Sequence, residues 1–472
     1  MTTPISPLVR PERAEADKSA LVEAMRLDSQ SRSHRVRAGL ATGLHAMRQR
    51  PRLVSLSLLT TLLVVVALVV FSTLTAPATR PSTLTPNSPS RWVLLGDVSP
   101  SWQALSGTAY QPQFGLPGVG FSCPSTTTCY AVNFENPGPN GSSEVVVTTD
   151  GGDTWSPSTL PVTLTGPGPA ALSCSDATTC ALLGVNSAGS PIFLETTDTG
   201  ATWQQEAGPS GLGASVGTRL VCSSATTCLG VTGGGGPTTA TSSLVTANAQ
   251  SPFAFTTHNA GVTWTTSSLP SGFVPGDLQC SSPEDCVASG GGVPGIASQG
   301  TGFTYTSNGG VTWTATNAPS SSTFVGQRRL SCSSSSTCLS DVDGPGAGTS
   351  PLLSSSDAGA TWTTQSETGL PQGFVTTLSC TTGTMCWAGG VENSNPEVSA
   401  VSLGAPGFVA STSDGGATWQ SSSLPTGVGA VMELSCPSST ACFALAVSQG
   451  QTAGTTAGFE ILAYGASTTA DN

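Results

Sequence analysis

Fourteen cysteines stand in seven pairs of one spacing, C-x5-C, at Cys123/Cys129, Cys174/Cys180, Cys222/Cys228, Cys280/Cys286, Cys332/Cys338, Cys380/Cys386 and Cys436/Cys442. Paired cysteines can bridge, hold a metal or act as nucleophiles, and spacing and compartment decide among these uses. Zinc motifs use other spacings, and His258 is the single histidine after residue 52. The pairs are expected to be disulfides, and no metal or cofactor is expected.

A second constellation appears when the repeats are aligned on the first cysteine of each pair. Two positions earlier the residue is always apolar: Phe121, Leu172, Leu220, Leu278, Leu330, Leu378, Leu434. Three positions earlier stand Gly120, Ala171, Arg219, Asp277, Arg329, Thr377 and Glu433. If this stretch is an innermost strand, Arg219, Asp277, Arg329 and Glu433 form a charged ring in a central channel. Its chemistry is either ion pairing between successive repeats, Arg219 with Asp277 and Asp277 with Arg329, or capture of a ligand. Carboxylates could also serve glycoside hydrolysis, which needs two acids flanking a bond. Asp277, Glu284, Asp285, Asp341, Asp343, Glu392 and Glu433 are available, without marks that single out a pair. His258 reads as a surface turn residue rather than a base.

These side chains need positioning elements, and the repeats supply them. By cysteine spacing the period is 48 to 58 residues, with short apolar runs separated by Gly, Ser and Thr. Such a period, with strand-like runs and few helix formers, predicts an all-β, seven-bladed β-propeller of four-stranded blades over residues 92–472. Each C-x5-C then spans the hairpin between the first two strands of a blade, with facing Cα atoms about 5.5 Å apart near the turn.

Between successive cysteine pairs lies a box of the form S/T-x-D/N-x-G-x-T-W, ending at Trp155, Trp203, Trp264, Trp313, Trp362 and Trp419. Its Asp150, Asp198, Asn259, Asn308, Asp357 or Asp414 can hold the amides of its own turn, and the indole can pack between neighbouring elements. The stretch Thr196-Thr197-Asp198-Thr199-Gly200-Ala201-Thr202-Trp203 and its sister copies resemble the Asp-box, or bacterial neuraminidase, repeat of β-propellers. That repeat is shared by sialidases, xyloglucan-active glycosidases, sortilin-type receptors and photosystem II assembly factors. The resemblance implies the fold, with boxes that are peripheral and structural. It does not extend to the sialidase site: the F/Y-R-I-P motif is absent, and only Arg219, Arg328 and Arg329 are at hand for an arginine triad.

Closure of the ring is read from the ends. The last cysteine pair is followed by Phe459–Tyr464 but by no box, whereas Asp97-Val98-Ser99-Pro100-Ser101-Trp102 keeps the Asp-to-Trp spacing without the glycine. N-terminal strands are therefore expected to complete the blade begun at the C-terminus. Either Trp92–Leu95 or Phe459–Tyr464 would be its third strand.

Residues 1–52 carry ten basic side chains against five acids, a basic tail suited to a cytoplasmic, anionic lipid surface. Leu53–Phe71 is free of charge and long enough to span a membrane as one helix, and the basic flank places the N-terminus inside. A cleaved signal peptide ending near Ala76-Pro77-Ala78 is the rival reading. Residues 72–91 form a Pro/Ser/Thr linker. From residue 92 onward 22 acids face three arginines, a net of −19, which repels nucleic acid. A bacterial source fits the Ala/Gly/Ser/Thr-rich usage. The expected protein is a single-pass, extracytoplasmic, non-catalytic binding or assembly scaffold for an exported protein or glycan, the alternative being a two-carboxylate glycosidase.

Overall fold

The computed structural model describes residues 92–465 apart from connecting segments, the longest of which are 111–118, 134–142, 234–251, 293–301, 317–328 and 342–351. The expected tail, spanning helix and linker (1–91), together with Arg328 and Asp343, lie outside the described residues. Among the described residues no helix is long and apolar enough to cross a membrane.

Among the described residues seven antiparallel blade sheets follow one another along the chain, and a separate two-stranded sheet pairs Ala109–Tyr110 with Val401–Ser402. Blade 2 shows the plan: Ala171–Cys174, Cys180–Val185, Pro191–Thr196 and Gln204–Ala207 pair in simple succession. Its second strand is wholly buried, whereas its fourth is exposed throughout. The gradient follows the residue types, since apolar Cys-Ala-Leu-Leu-Gly-Val needs cover on both faces and Gln-Gln-Glu-Ala does not.

The hydrophobic core is divided among the seams between blades. Tyr130, Val132 and Val147 of blade 1 pack with Leu182, Leu194 and Trp203 of blade 2, and Leu183 and Phe193 of blade 2 pack with Leu220 and Phe255 of blade 3. Corresponding clusters fill the remaining seams through to blade 7 and back to blade 1. Every blade thus depends on both neighbours, which is why the ring must close.

Blade 7 closes it with chain from both ends. Val428–Ser438, Ala441–Ser448 and Ala457–Tyr464 are its first three strands, and Trp92–Asp97 is its fourth, with Trp92 opposite Tyr464 and Asp97 opposite Glu460. This decides between the two expected arrangements: the C-terminal strand is third. It also corrects the reading of Asp97–Trp102 as a degenerate box. Asp97 lies within the fourth strand, and Gln103–Ala104 pairs further along the same third strand. No turn joins the third and fourth strands here, so there is nothing for a box to stabilise. Trp92, Trp387 and Tyr464 pack together where the closing strand meets blade 6.

All seven cysteine pairs form disulfides, joining Cys123 to Cys129, Cys174 to Cys180, Cys222 to Cys228, Cys280 to Cys286, Cys332 to Cys338, Cys380 to Cys386 and Cys436 to Cys442. Their Cα atoms are 3.9 to 4.1 Å apart, closer than the expected 5.5 Å. The flanking residues explain this. Ser175 N–H donates to Thr179 O at 3.0 Å and Ser223 N–H to Thr227 O at 3.0 Å, which leaves the cysteines themselves on the narrow, non-hydrogen-bonded site of the ladder.

Burial adds a second role to these expected cross-strand bridges. The hairpin turns reach solvent, yet the second cysteine of every bridge, namely Cys129, Cys180, Cys228, Cys286, Cys338, Cys386 and Cys442, is buried. The physical reason is its place in the blade: it opens or lies within the largely buried second strand, so its sulfur packs into a seam. Cys180 joins the cluster between blades 1 and 2, Cys228 that between blades 2 and 3, and Cys286, Cys338, Cys386, Cys442 and Cys129 follow in order around the ring. A half-cystine is a small apolar side chain as well as a cross-link, and here it serves as both.

Candidate functional site

The first strands of the blades touch one another in order around the ring, and that of blade 7 touches that of blade 1. They therefore line the axis. Their side chains alternate: the residue two before the cysteine faces the preceding blade, and those one and three before it face the next. Leu172, for example, lies under Gly120, where an added Cβ would come within 2.9 Å of it.

The residues directed onward form two sets of clasps on the exposed edge of the next blade. In the first set, a serine one before the cysteine accepts the N–H of the next blade's first cysteine: Ser173 from Cys222 at 2.8 Å, Ser331 from Cys380 at 2.8 Å, Ser379 from Cys436 at 3.2 Å, and Ser435 from Cys123 at 2.8 Å across the closure. In the second set, the residue three before the cysteine accepts the N–H of the next blade's apolar residue, Asp277 Oδ2 from Leu330 at 3.0 Å and Thr377 Oγ1 from Leu434 at 2.9 Å. An edge strand that faces other edges would otherwise leave these amides unpaired.

The charged ring sits at this second level. Arg219 Nε lies 3.8 Å from Asp277 Oδ1, and their side chains are 28% and 17% exposed, so both reach solvent in the channel. Asp277 Oδ1 also accepts the Leu278 N–H at 2.8 Å. The Arg329 N–H donates to buried Asp341 of the neighbouring strand, and Ser340 Oγ donates to Arg329 O at 2.7 Å. Burial is the main influence on the ring's ionisation: it lowers Arg219, and it raises Asp277 against the pull of Arg219 and Arg329. Burial likewise pushes Glu433 up to about 7, opposed by Arg329 and Arg219 and helped by Asp277. The four residues chosen from sequence thus form one electrostatic unit. The Arg219–Asp277 pair is present as expected, while Asp277 reaches toward blade 5 through the Leu330 backbone.

A feature that the sequence hid lies one residue before the ring. The ladder shifts register between Pro275 and Asp277, between Val375 and Thr377, and between Val431 and Glu433. Bulges re-aim the residue that follows them. In blades 4, 6 and 7 they deliver Asp277, Thr377 and Glu433 to the ring.

The boxes hold their turns as the residue types predict. Thr196 Oγ1 donates to Asp198 Oδ1 at 2.8 Å and accepts the Gly200 N–H at 2.9 Å, while Asp198 accepts Thr202 N–H at 2.8 Å and Thr202 Oγ1 at 2.6 Å. In Asn259 the amide nitrogen donates to Thr263 Oγ1 at 2.9 Å, so the hydroxyl switches from donor to acceptor. Asn308 does the same with Thr312. Asp150, Asp357 and Asp414 repeat the aspartate form. Although exposed, these carboxylates are held low by such bonds, Asp414 to about 2, with Thr418 Oγ1 the largest influence. Five of the box turns also bond the cysteine hairpin of their own blade, as Thr199 N–H to Thr178 O at 3.0 Å and Gly309 N–H to Glu284 O at 3.0 Å.

The remaining acids scatter. Glu284 and Glu392 are exposed at turn and strand end, and Asp285 accepts Ser282 Oγ at 2.9 Å within its hairpin. His258 is exposed and, with Thr227, Pro283, Glu284, Asn308 and Gly309, lines an open depression of about 470 Å³ between blades 3 and 4.

The fold and the clasped inner ring define a seven-bladed, disulfide-stapled β-propeller. No family model and no curated protein matches the chain. Among solved structures it is similar to YCF48 bound to D1 peptide, at 18% identity and a TM-score of 0.49, covering 81% of this chain and 99% of that one. It is also similar to YCF48 from Cyanidioschyzon merolae, at 14% identity and a TM-score of 0.46, covering 79% and 98%. A GH74 xyloglucanase from Xanthomonas campestris is similar at 13% identity and a TM-score of 0.47, covering 76% of this chain and 54% of that one. At these identities and scores the similarity brings no residue role to this chain.

Proposed function

We propose that the chain is a membrane-anchored, extracytoplasmic, non-catalytic scaffold that binds an exported protein or glycan on one face of the propeller. The supporting observation is the difference between the faces. In each four-stranded meander the first-to-second and third-to-fourth turns share one face, and the other connections share the opposite face. The first face is a uniform set of stapled hairpins and boxes. The second carries connections as different as 186–190 and 233–252 between the same two strands. Variable loops on a rigid frame are the usual carriers of recognition. The anchor rests on Leu53–Phe71 and the basic residues before it. The partner is expected to be something other than nucleic acid, given the acidic surface.

A glycosidase reading has one observation in its favour, the Glu433 carboxyl near 7, suited to a general acid. Against it, Asp277 is committed to two backbone amides and Arg219. Fractionation with protease accessibility in intact cells tests the anchor: full-length chain in the membrane, cleaved only beyond residue 71, is expected. A released form beginning near Thr79 would show a cleaved signal instead. Affinity capture from envelope extract, with a glycosidase assay alongside, tests the binding role. Turnover of a glycoside that Glu433→Gln abolishes would replace it with the enzyme reading.

A further inference from the structure

Two positions before its tryptophan, at the tip of the turn, each box carries one variable residue: Asp153, Ala201, Val262, Val311, Ala360 or Ala417. Among the described residues, Val262 and Val311 are the large apolar side chains left exposed, at 63% and 69%. They belong to the boxes of adjacent blades 3 and 4, the two in which Asn259 and Asn308 replace the aspartate. In those boxes Trp264 and Trp313 are partly exposed as well, whereas Trp203, Trp362 and Trp419 are buried. Trp155 of blade 1 is also partly exposed, but it stands beside Asp150 and Asp153. Loss of the box carboxylate and gain of apolar surface thus coincide in one patch of an acidic domain. An exposed apolar patch of this kind marks a contact surface.

The strand order shows what lies on the same face. Trp92 stands opposite Tyr464, and Tyr464 stands opposite Cys442 of the blade 7 hairpin, while Asp97 ends the strand at the other face. The chain before residue 92 therefore joins the propeller on the face of the hairpins and boxes. That preceding chain holds the charge-free stretch Leu53–Phe71 and the linker 72–91. Around the closed ring, blade 3 is three places from blade 7 in one direction and blade 4 is three places in the other. Point of entry and apolar patch thus occupy opposite rims of one face. A flexible linker lets that face tilt or lift, so entry alone does not seat it, and a contact on the far rim does.

We propose that the box face of blades 3 and 4 rests on the surface of the lipid bilayer, with Val262 and Val311 entering the headgroup layer, so that the propeller turns its variable face away from the membrane. This rests on the membrane anchor proposed above and deepens it. The occupant follows from the chemistry of the patch. An anionic lipid surface repels a domain with 22 acids and three arginines, and the repulsion is least where boxes have lost their carboxylates. Partly exposed indoles such as Trp264 and Trp313 suit the headgroup layer. In the depression between the two box turns, His258 offers an imidazole to a phosphate and Glu284 a carboxylate to an ammonium group, the two ends of a zwitterionic headgroup. Two valines and the edges of two indoles make a weak contact alone. The tether supplies the local concentration that makes it sufficient.

The test uses the full-length chain at high dilution in vesicles of phosphatidylcholine and phosphatidylethanolamine, part of the lipid carrying a headgroup spin label that quenches nearby fluorescence. A fluorophore on an unnatural amino acid replaces exposed Thr226, in the blade 3 hairpin that bonds the Ala260 N–H, or exposed Ala188, in the variable-face turn at 186–190, so that no cysteine is disturbed. Expected are strong quenching at 226 and little at 188, loss of the quenching at 226 in Val262→Asp with Val311→Asp, and retention of that variant in the membrane after a carbonate wash. Aspartate already occupies the same tip in blade 1, as Asp153, so the turn accepts it. The proposal is overturned if 188 is quenched as strongly as 226, or if the two aspartates leave the quenching unchanged. Energy transfer between donor- and acceptor-labelled chains at the same dilution, abolished by the two aspartates, would assign the patch to a second copy and overturn it too. A wild-type chain that washes off with carbonate overturns the anchor itself, and the seat with it.

Discussion

The two faces of this propeller are built from the same strands yet obey different rules. On the face of the hairpins and boxes, each turn is fixed several times over, by a disulfide, by a side chain accepting its amides, and in five blades by a bond between the two turns of one blade. On the opposite face the second and third strands of a blade are joined by connections of very different length, 186–190 in blade 2 against 233–252 in blade 3. The difference shows where a repeat protein can vary: sequence drifts freely where it does not have to close a ring.

The largest effect that can break this comparison is reduction of the disulfides. In the chain-entropy model each seven-residue loop contributes about 2 kcal/mol, so seven together rival the stability of a whole domain. Thiol titration of the native protein should find no free cysteine, and full reduction should unfold the propeller at 37 °C, as read by tryptophan fluorescence. A reduced protein with an unchanged melting temperature would mean that the staples are not what stiffens that face.

A pair of glycines sharpens the contrast at single-residue scale. Gly261, in the blade 3 box, has φ +82 and would place a Cβ 2.4 Å from Phe193 of blade 2, whereas Gly189, in the turn at 186–190 on the other face, has φ +76 and nothing within 4 Å. Gly261→Ala should cost about 3 kcal/mol, from backbone strain and a clash in the seam, and Gly189→Ala about 1 kcal/mol from strain alone. Equal losses in chemical denaturation would show that the seam yields easily.

Between the faces, the inner ring is tested through its clasps. Removing the Asp277 carboxylate takes from Arg219 its neighbouring counter-charge and from the Leu330 N–H its acceptor, which should cost about 2 kcal/mol in a partly wet channel. Adding Arg219→Ala should return part of the loss. An Asp277→Ala variant as stable as wild type would show that blades 3 to 5 need no clasp.

The smallest effect belongs to the boxes. Asp414 is held at about 2, below its unfolded value, so its contribution is present above pH 3.8 and is lost as the pH falls through about 2. Asp414→Asn, the form that Asn259 and Asn308 already take, should leave stability at pH 7 nearly unchanged and flatten its decline between pH 4 and 2. A large loss at pH 7 would mean that the carboxylate itself, rather than the geometry of its turn, is required.

Much of this was legible because repetition exposes it. Seven identical cysteine spacings and six boxes fix blades, staples and turns, and aligning them isolates Arg219, Asp277, Arg329 and Glu433 against Gly120, Ala171 and Thr377. What remained hidden depends on one blade reading another. The serine clasps look like ordinary Ser-Cys dipeptides until the next blade's amide is seen beside them, and the bulges before Asp277, Thr377 and Glu433 leave no residue signature. The spacing that pairs Cys129 or Cys442 with its partner likewise says nothing of the seam that buries it. Asp97–Trp102 misled because spacing alone does not tell a turn from an outer strand, and only the pairing of Trp92 with Tyr464 does.

The claim that recognition resides on the variable face is tested most directly by replacing 234–251 with a short Gly-Ser linker and, separately, placing Lys at Val262 and Val311, exposed positions of the box face. Both proteins are compared with wild type for capture of partners from envelope extract and for thermal stability. The account predicts that the loop replacement abolishes or reshapes the captured set without lowering the melting temperature, while Val262→Lys with Val311→Lys leaves capture intact. Capture that survives the loop replacement but is lost with the two lysines would place the binding surface on the stapled face and contradict the account.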